Sequence, residues 1–291
     1  MRNELVLGAV AYDAKVVPIW DGFKAYFAAR DLAFDFVLYS NYERQVAAHL
    51  RGEIDAAWNS PLAWLHTARA APGRARAIAM RDTDRDLTSV VLARADGPIK
   101  TVTDLRGKRV GVGAADSPQA TLIPMVALAD GGLAPGRDVT IVRHDMLVGK
   151  HGDHIGGERE AVKALLAGAV DAACVIDGNH AAFAKQGLYG AGQLRVVLQT
   201  APFDHCNMTV IASPGTAAAR SGAEGAAQPT DDTPALARFR ELLLAMSYDD
   251  PAVRPLLDLE GLKVWLPGRT TGYTLLDRAL TPADRFAHVL G

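Results

Sequence analysis

Cysteine is scarce: the 291-residue chain has two, Cys174 and Cys206. That excludes a disulfide framework and fits a reduced compartment or one isolated bridge. An excess of basic charge is missing too. Thirty-one Lys and Arg against 33 Asp and Glu give a formal net charge of -2. Nothing here would neutralise a phosphate backbone, so no nucleic-acid partner is expected. No apolar run approaches the roughly 18 residues that a membrane span needs, so no span is expected. Met1 to Glu4 leads straight into the apolar run Leu5 to Tyr12. No signal-peptide h-region precedes it, so the expected location is cytoplasmic, or periplasmic if a signal peptide has been removed. Gly-x-x-x-x-Gly-Lys-Ser/Thr, Gly-x-Ser-x-Gly, His-Glu-x-x-His and Cys-x-x-Cys motifs are also lacking. Phosphate-loop, serine-hydrolase-elbow and common zinc chemistries thereby lose their signatures. Gly111-Val112-Gly113 lacks the third glycine of a dinucleotide fingerprint.

What is present is an ordinary globular composition. With 49% hydrophobic and 22% charged residues, the bulk of the chain can be neither disordered nor coiled coil. Its length favours about two domains. Short β-branched runs recur at Phe34–Tyr39, Asp55–Trp58, Ser89–Ala93, Arg109–Gly113, Val139–His144, Asp171–Ile176, Leu194–Gln199 and Met208–Ala212. Between several of them, apolar residues at three- and four-residue spacing mark helices, as at Ala161, Val162, Leu165 and Leu166. This alternation predicts an α/β fold with largely parallel sheets. Leu50-Arg51-Gly52-Glu53-Ile54-Asp55-Ala56-Ala57 is echoed by Leu166-Ala167-Gly168-Ala169-Val170-Asp171-Ala172-Ala173. Each reads as helix, glycine stop and strand, a hint of two similar lobes. Turn-rich Asp96–Lys100 and Thr200–Phe203 are the expected crossovers. Lobe one is then residues 1–96 plus 203–291, and lobe two 97–202. Ser213 to Pro234 is expected to be a mobile surface loop leading into a helix from Ala235 to Met246.

Several residues could carry chemistry. Ser117-Pro118 follows a strand and suits a helix start, where free N–H groups and the helix dipole attract an anion. The segment His144 to Glu158 holds three of the eight histidines, three carboxylates and a lysine in a Gly-rich stretch. Two functional uses compete. His151 and Lys150 can donate charge-assisted hydrogen bonds to an anion. Alternatively, His151, His154 and Glu158 can hold a divalent metal, zinc or iron, since two histidines and a carboxylate make a facial site. The plain alternative is a solvated loop. Asp177 closes one strand and Asn59-Ser60 another, at the strand ends that line crevices in open α/β sheets. Tyr12 and Trp20 offer aromatic faces, and Cys206 reads as a small buried apolar residue.

Three segments carry a resemblance: Gly52-Glu53-Ile54-Asp55-Ala56-Ala57-Trp58-Asn59-Ser60-Pro61-Leu62-Ala63, Asp104-Leu105-Arg106-Gly107-Lys108-Arg109-Val110, and Ala161-Val162 through Asp171-Ala172-Ala173. Together they resemble the phosphonate/phosphite-binding components of ABC importers. The resemblance implies a two-lobe type II periplasmic-binding-protein fold with two hinge crossovers and a ligand clamped in the cleft. It also implies that Ser117 stands where these binders begin a Ser-Thr-Ser-Gly-like run, and that His151 takes the place of their ligand-contacting histidine.

The expected function is therefore capture of a small anionic solute, phosphonate-like or carboxylate, for an ABC permease. Tyr12, Asn59 and Ser60 would contact it from lobe one. Ser117 would be the anion cap, His151 the cationic donor and Asp177 the acceptor for an amino or hydroxyl group. No cofactor is expected, the divalent metal being the alternative. The rival function is a cytoplasmic enzyme on the same fold: a lyase, decarboxylase or metal-dependent oxygenase.

Overall fold

The computed structural model describes residues 4–12, 14–146, 155–212, 233–281 and 285–290. They form two units: Met1–Arg85 with Cys206–Thr271, and Asp86–His205 with Gly272–Gly291. The chain therefore changes unit three times. The first change comes before Ser89–Arg94 rather than after it, because that strand pairs in the second unit's sheet. The last 20 residues also belong to the second unit, where the expected division put them in lobe one.

The first unit contains β1 (Leu5–Val10), β2 (Phe34–Tyr39), β3 (Ala56–Asn59), β4 (Ala75–Arg81), β10 (Asn207–Ile211) and β11 (Trp265–Pro267). Their order in the sheet is β11-β4-β10-β3-β1-β2. β2, β1 and β3 are parallel, while β10 runs antiparallel to both β3 and β4. The sheet is thus mixed rather than largely parallel, since β10 returns from the other unit and enters head-down. Helix α1 (Val16–Ala28) buries Val16, Ile19, Trp20, Phe23 and Phe27 along one stripe. Phe27 meets Phe34 at 4.8 Å and Phe239 at 5.1 Å between ring centroids, so the core has an aromatic centre. Trp20 is 3% exposed and belongs to this core.

The second unit contains β5 (Ser89–Arg94), β6 (Arg109–Val112), β7 (Thr140–Arg143), β8 (Ala172–Ile176) and β9 (Leu194–Gln199). They lie in the order β7-β6-β8-β5-β9. Again one half is parallel, β7-β6-β8, and β5 runs antiparallel to β8 and β9. Helix α4 (Ile123–Asp130) and helix α5 (Ile155–Leu166) follow β6 and β7. The C-terminal stretch is fastened by Arg278, which grips Asp130 at 2.6 and 3.1 Å. Tyr273 adds a bond from its hydroxyl to the His205 carbonyl, 2.8 Å.

The sequence echo has a physical counterpart in each unit. Gly52, after helix α2 (Tyr42–Leu50), and Gly168, after α5, both adopt positive φ, 72° and 75°. That conformation ends the preceding helix without strain. Three residues on, Asp55 accepts the Val6 N–H at 2.8 Å, and Asp171 accepts the Arg109 N–H at 2.9 Å. In return the Asp55 and Asp171 N–H groups donate to the Val6 and Arg109 carbonyls. Each aspartate so fixes the parallel register, Leu7 beside Ala56 and Val110 beside Ala172. The expected loop 213–234 lies outside the described residues up to 232. Helix α7 (Pro234–Leu244) follows, with Thr233 accepting the Leu236 N–H at its start.

Candidate functional site

In both units the candidate residues sit at the carboxyl ends of parallel strands. In the first unit Tyr12 follows β1 and Asn59-Ser60 ends β3, its parallel neighbour. Tyr12 is half-buried, with the Lys15 ammonium 5.6 Å from its ring centre. Asn59 is fully buried and engaged internally: its Oδ1 accepts from Gln45 Nε2 at 2.8 Å and its Nδ2 donates to Thr209 Oγ1 at 2.9 Å. Ser60, also buried, caps helix α3 (Pro61–Ala70) by accepting the Ala63 N–H at 3.2 Å. Its own hydroxyl and the proline after it are the reason the helix starts there.

The second unit repeats this device. After β6 the chain turns at Gly113, where an added Cβ would fall 2.8 Å from that of Ala120. Ser117 Oγ then accepts the Ala120 N–H at 3.2 Å, and Pro118 opens a short π-helical turn running into α4. Thr121 closes the turn by donating from Oγ1 to the Ala114 carbonyl at 2.8 Å. Ser117 is buried, so its hydroxyl serves the helix, and what the turn can offer an anion is backbone N–H and helix dipole.

The first turn of α5 joins this edge. A Cβ on Gly157 would lie 2.6 Å from the His144 carbonyl, 3.2 Å from Ala114 N and 3.2 Å from Gly113 Cα. Only glycine lets the helix start so near the ends of β6 and β7. Its neighbour Glu158 is fully buried. Glu158 Oε2 accepts from the Ile176 N–H and from Asn179 Nδ2, both at 2.9 Å. Ile176 ends β8, and helix α6 (Asp177–Lys185) begins at once with exposed Asp177. The Asp177 N–H donates to the Thr88 carbonyl at 2.9 Å. His144, after β7, is half-buried, and burial pushes its imidazole below the usual histidine range against the pull of Glu160 and Asp145.

The structure thus gathers Ser117, Glu158 and Asp177 around the ends of β6 and β8. Lys150, His151 and His154 lie outside the described residues, so of the metal trio Glu158 alone has a described place. Sequence reasoning missed Gly157, Asn179 and His144. The Gly156-Gly157 pair opening a helix was the available signal, since two glycines there mark a close backbone approach. Cys174 and Cys206 are both buried and form no disulfide, and burial pushes the Cys174 thiol up to about 12, so it is no nucleophile at neutral pH.

Residues 11–273 match the family described as the periplasmic substrate-binding protein of phosphonate ABC transporters. The chain belongs to that family. This substrate-binding protein shares its fold with solved relatives at low identity. XAC2383 from Xanthomonas citri, bound to ATP, aligns over 100% of both chains with 18% identity and a TM-score of 0.68. PhnD1 from Prochlorococcus marinus, in complex with methylphosphonate, covers 97% of this chain and 99% of its own with 16% identity and a TM-score of 0.63. SsuA from Escherichia coli, a periplasmic aliphatic sulphonate binding protein, covers 99% and 88% with 16% identity and a TM-score of 0.53. No curated protein sequence matches the chain. The family is one of solute binders, and nothing in these likenesses favours the enzyme alternative. Its description is periplasmic, which corrects the expected cytoplasmic location. No described helix is long and apolar enough to cross a membrane.

Proposed function

We propose that the chain captures a small phosphonate-class oxyanion and delivers it to the permease of an ABC importer. The observation that carries this is the family match, taken with the helix starts that meet at the ends of β6 and β8. Helix starts there offer donors and positive dipole ends to an oxyanion without a fixed cation. Two structural relatives hold phosphoryl compounds, methylphosphonate and ATP, which supports the same ligand chemistry. Ser117 shapes the turn and His151 supplies the cationic donor, whereas Asn59 and Ser60, expected as ligand contacts, are buried and hold the end of β3 and the start of α3 instead. With its negative charge, Asp177 favours a ligand that carries an amino or hydroxyl donor beside the acid.

Calorimetry against methylphosphonate, phosphate, alkylsulfonates and small carboxylates tests this. A phosphonate should bind best. His151→Ala should cost about 1.5 to 3 kcal/mol, the scale of a hydrogen bond to a charged group. Ser117→Ala should cost less, because the backbone donors remain. An ordinary histidine titrates near 6.5, so affinity should fall as pH rises from about 6 to 8. A wild-type protein that binds none of these anions, or wild-type affinity in both variants, would overturn the assignment.

A further inference from the structure

Glu158 is the one described carboxylate at this edge that is wholly removed from water. A carboxylate in that position needs donors, and the junction of β8 with α6 supplies two of them. We propose that Glu158 is a positioning residue for ligand discrimination, acting through Asn179; this rests on the anion-binding reading of the same edge.

The direction of the hydrogen bonds decides what this turn can receive. Asn179 gives its Nδ2 to Glu158, at 2.9 Å, which fixes the orientation of the amide. Its Oδ1 is then held as an acceptor in the first turn of α6. Asp177, two residues earlier, is exposed and presents a carboxylate in the same turn. An amide oxygen accepts, so a ligand group received by Asn179 is a donor, an ammonium or a hydroxyl. The Glu158 bond to the Ile176 N–H fixes the strand end from which this turn springs. On its other side the same turn of α5 is pressed against His144 and Gly113-Ala114, through Gly157. Glu158 therefore sets the Asn179 acceptor at α6 relative to the anion-receiving turn after β6. It determines how well an amine-bearing anion is preferred over a plain one.

Two ligands and one ligand-free measurement test this. Wild type, Glu158→Gln, Glu158→Ala and Asn179→Ala are titrated with aminomethylphosphonate and methylphosphonate by calorimetry. Wild type should prefer the amine-bearing compound. Glu158→Ala and Asn179→Ala should each lose about tenfold in that preference, the scale of one hydrogen bond to a charged group. Glu158→Gln should keep it, because the glutamine oxygen accepts the same two bonds. Hydrogen exchange of the ligand-free protein should quicken in Glu158→Ala at Ile176 and the first turn of α6, with β1 to β3 unchanged. A wild-type preference ratio in Glu158→Ala, or a glutamine variant as impaired as the alanine one, overturns the proposal. Should wild type bind neither phosphonate, the functional reading fails, and exchange alone decides: local quickening upholds the positioning role, and unchanged rates at 176–180 refute it.

Discussion

Asp55 and Asp171 do the same work in the two units: each side chain takes the N–H of a neighbouring parallel strand. Asp171 is also paired with the Arg109 guanidinium, 3.2 Å away, and that hydrogen bond holds its carboxyl below the usual carboxylate range. A depressed carboxyl stabilises the folded chain above its unfolded pKa, near 3.9, and loses that contribution as acid protonates it. Asp171→Asn should therefore lower stability at neutral pH and flatten its loss on acidification, as read by urea denaturation at several pH values. Asp55→Ala should cost about 1 kcal/mol, the scale of a lost hydrogen bond. His49 has the opposite sign of charge. It is 3% exposed, and burial pushes its imidazole down to about 4 from 6.5. Between those values the unfolded chain binds the proton and the folded one does not, so stability should fall as pH drops from about 6.5 to 4. Up to about 3 kcal/mol is at stake, since each tenfold change in proton affinity is worth about 1.36 kcal/mol. His49→Gln should remove this dependence; denaturation midpoints that stay parallel to wild type across that range would contradict it.

Among the elements, the helix starts were the most legible part of the sequence. Ser117-Pro118 reads as a cap and takes the Ala120 N–H; Ser60-Pro61 and Thr233-Pro234 carry the same signal, and their hydroxyls take the Ala63 and Leu236 N–H groups. Ser117→Ala should therefore cost about 1 kcal/mol in stability, a typical cap loss, measured by thermal unfolding. The echoed Gly-x-x-Asp-Ala-Ala segments were legible because the same glycine stop, and the same aspartate bond to a neighbouring strand, made them alike. Strand direction was not legible. Nothing local distinguishes β10 or β5 from a parallel strand, since both are buried apolar runs and their orientation depends on where the chain returns from. β4 escaped because Arg76 and Arg81 leave only four consecutive apolar residues between them, two of them alanine, and β11 because it has only three residues and ends at Pro267. At the candidate site Ser117 and Asp177 could be placed from strand ends alone. Glu158 could not, since its partners Ile176 and Asn179 lie 18 and 21 residues away. Gly157→Ala tests the tight α5 start directly. The added methyl meets a backbone carbonyl that cannot swing aside, so the variant should lose both stability and anion affinity. Equal affinity and melting temperature would show that the turn can shift.

On the scale of the whole molecule, a solute that binds only the folded chain must stabilise it. At a hundred times its dissociation constant the gain is about 2.7 kcal/mol, readable as a rise in melting temperature. A cognate phosphonate that binds in calorimetry yet leaves the melting curve unmoved would mean that it also binds the unfolded chain.

The placement of β10 has a consequence for how the chain is made. Every strand of the second sheet lies between Ser89 and Gln199, so that sheet has all its strands once residue 199 has left the ribosome. The first sheet begins far earlier in the chain, at Leu5 against Ser89, yet β3 and β4 do not touch without β10 between them. β1 to β3 can pair among themselves, but β4 must wait unpaired until Asn207 to Ile211 arrives. Contacts across so long a separation close slowly. During synthesis the later-coded sheet is thus the first that can be finished, and the exposed edges of β3 and β4 are what a holding chaperone would have to cover. In pulse-labelled exchange of nascent chains, Val110 and Ala173 should gain protection before Ala79, whose partners are β10 and β11.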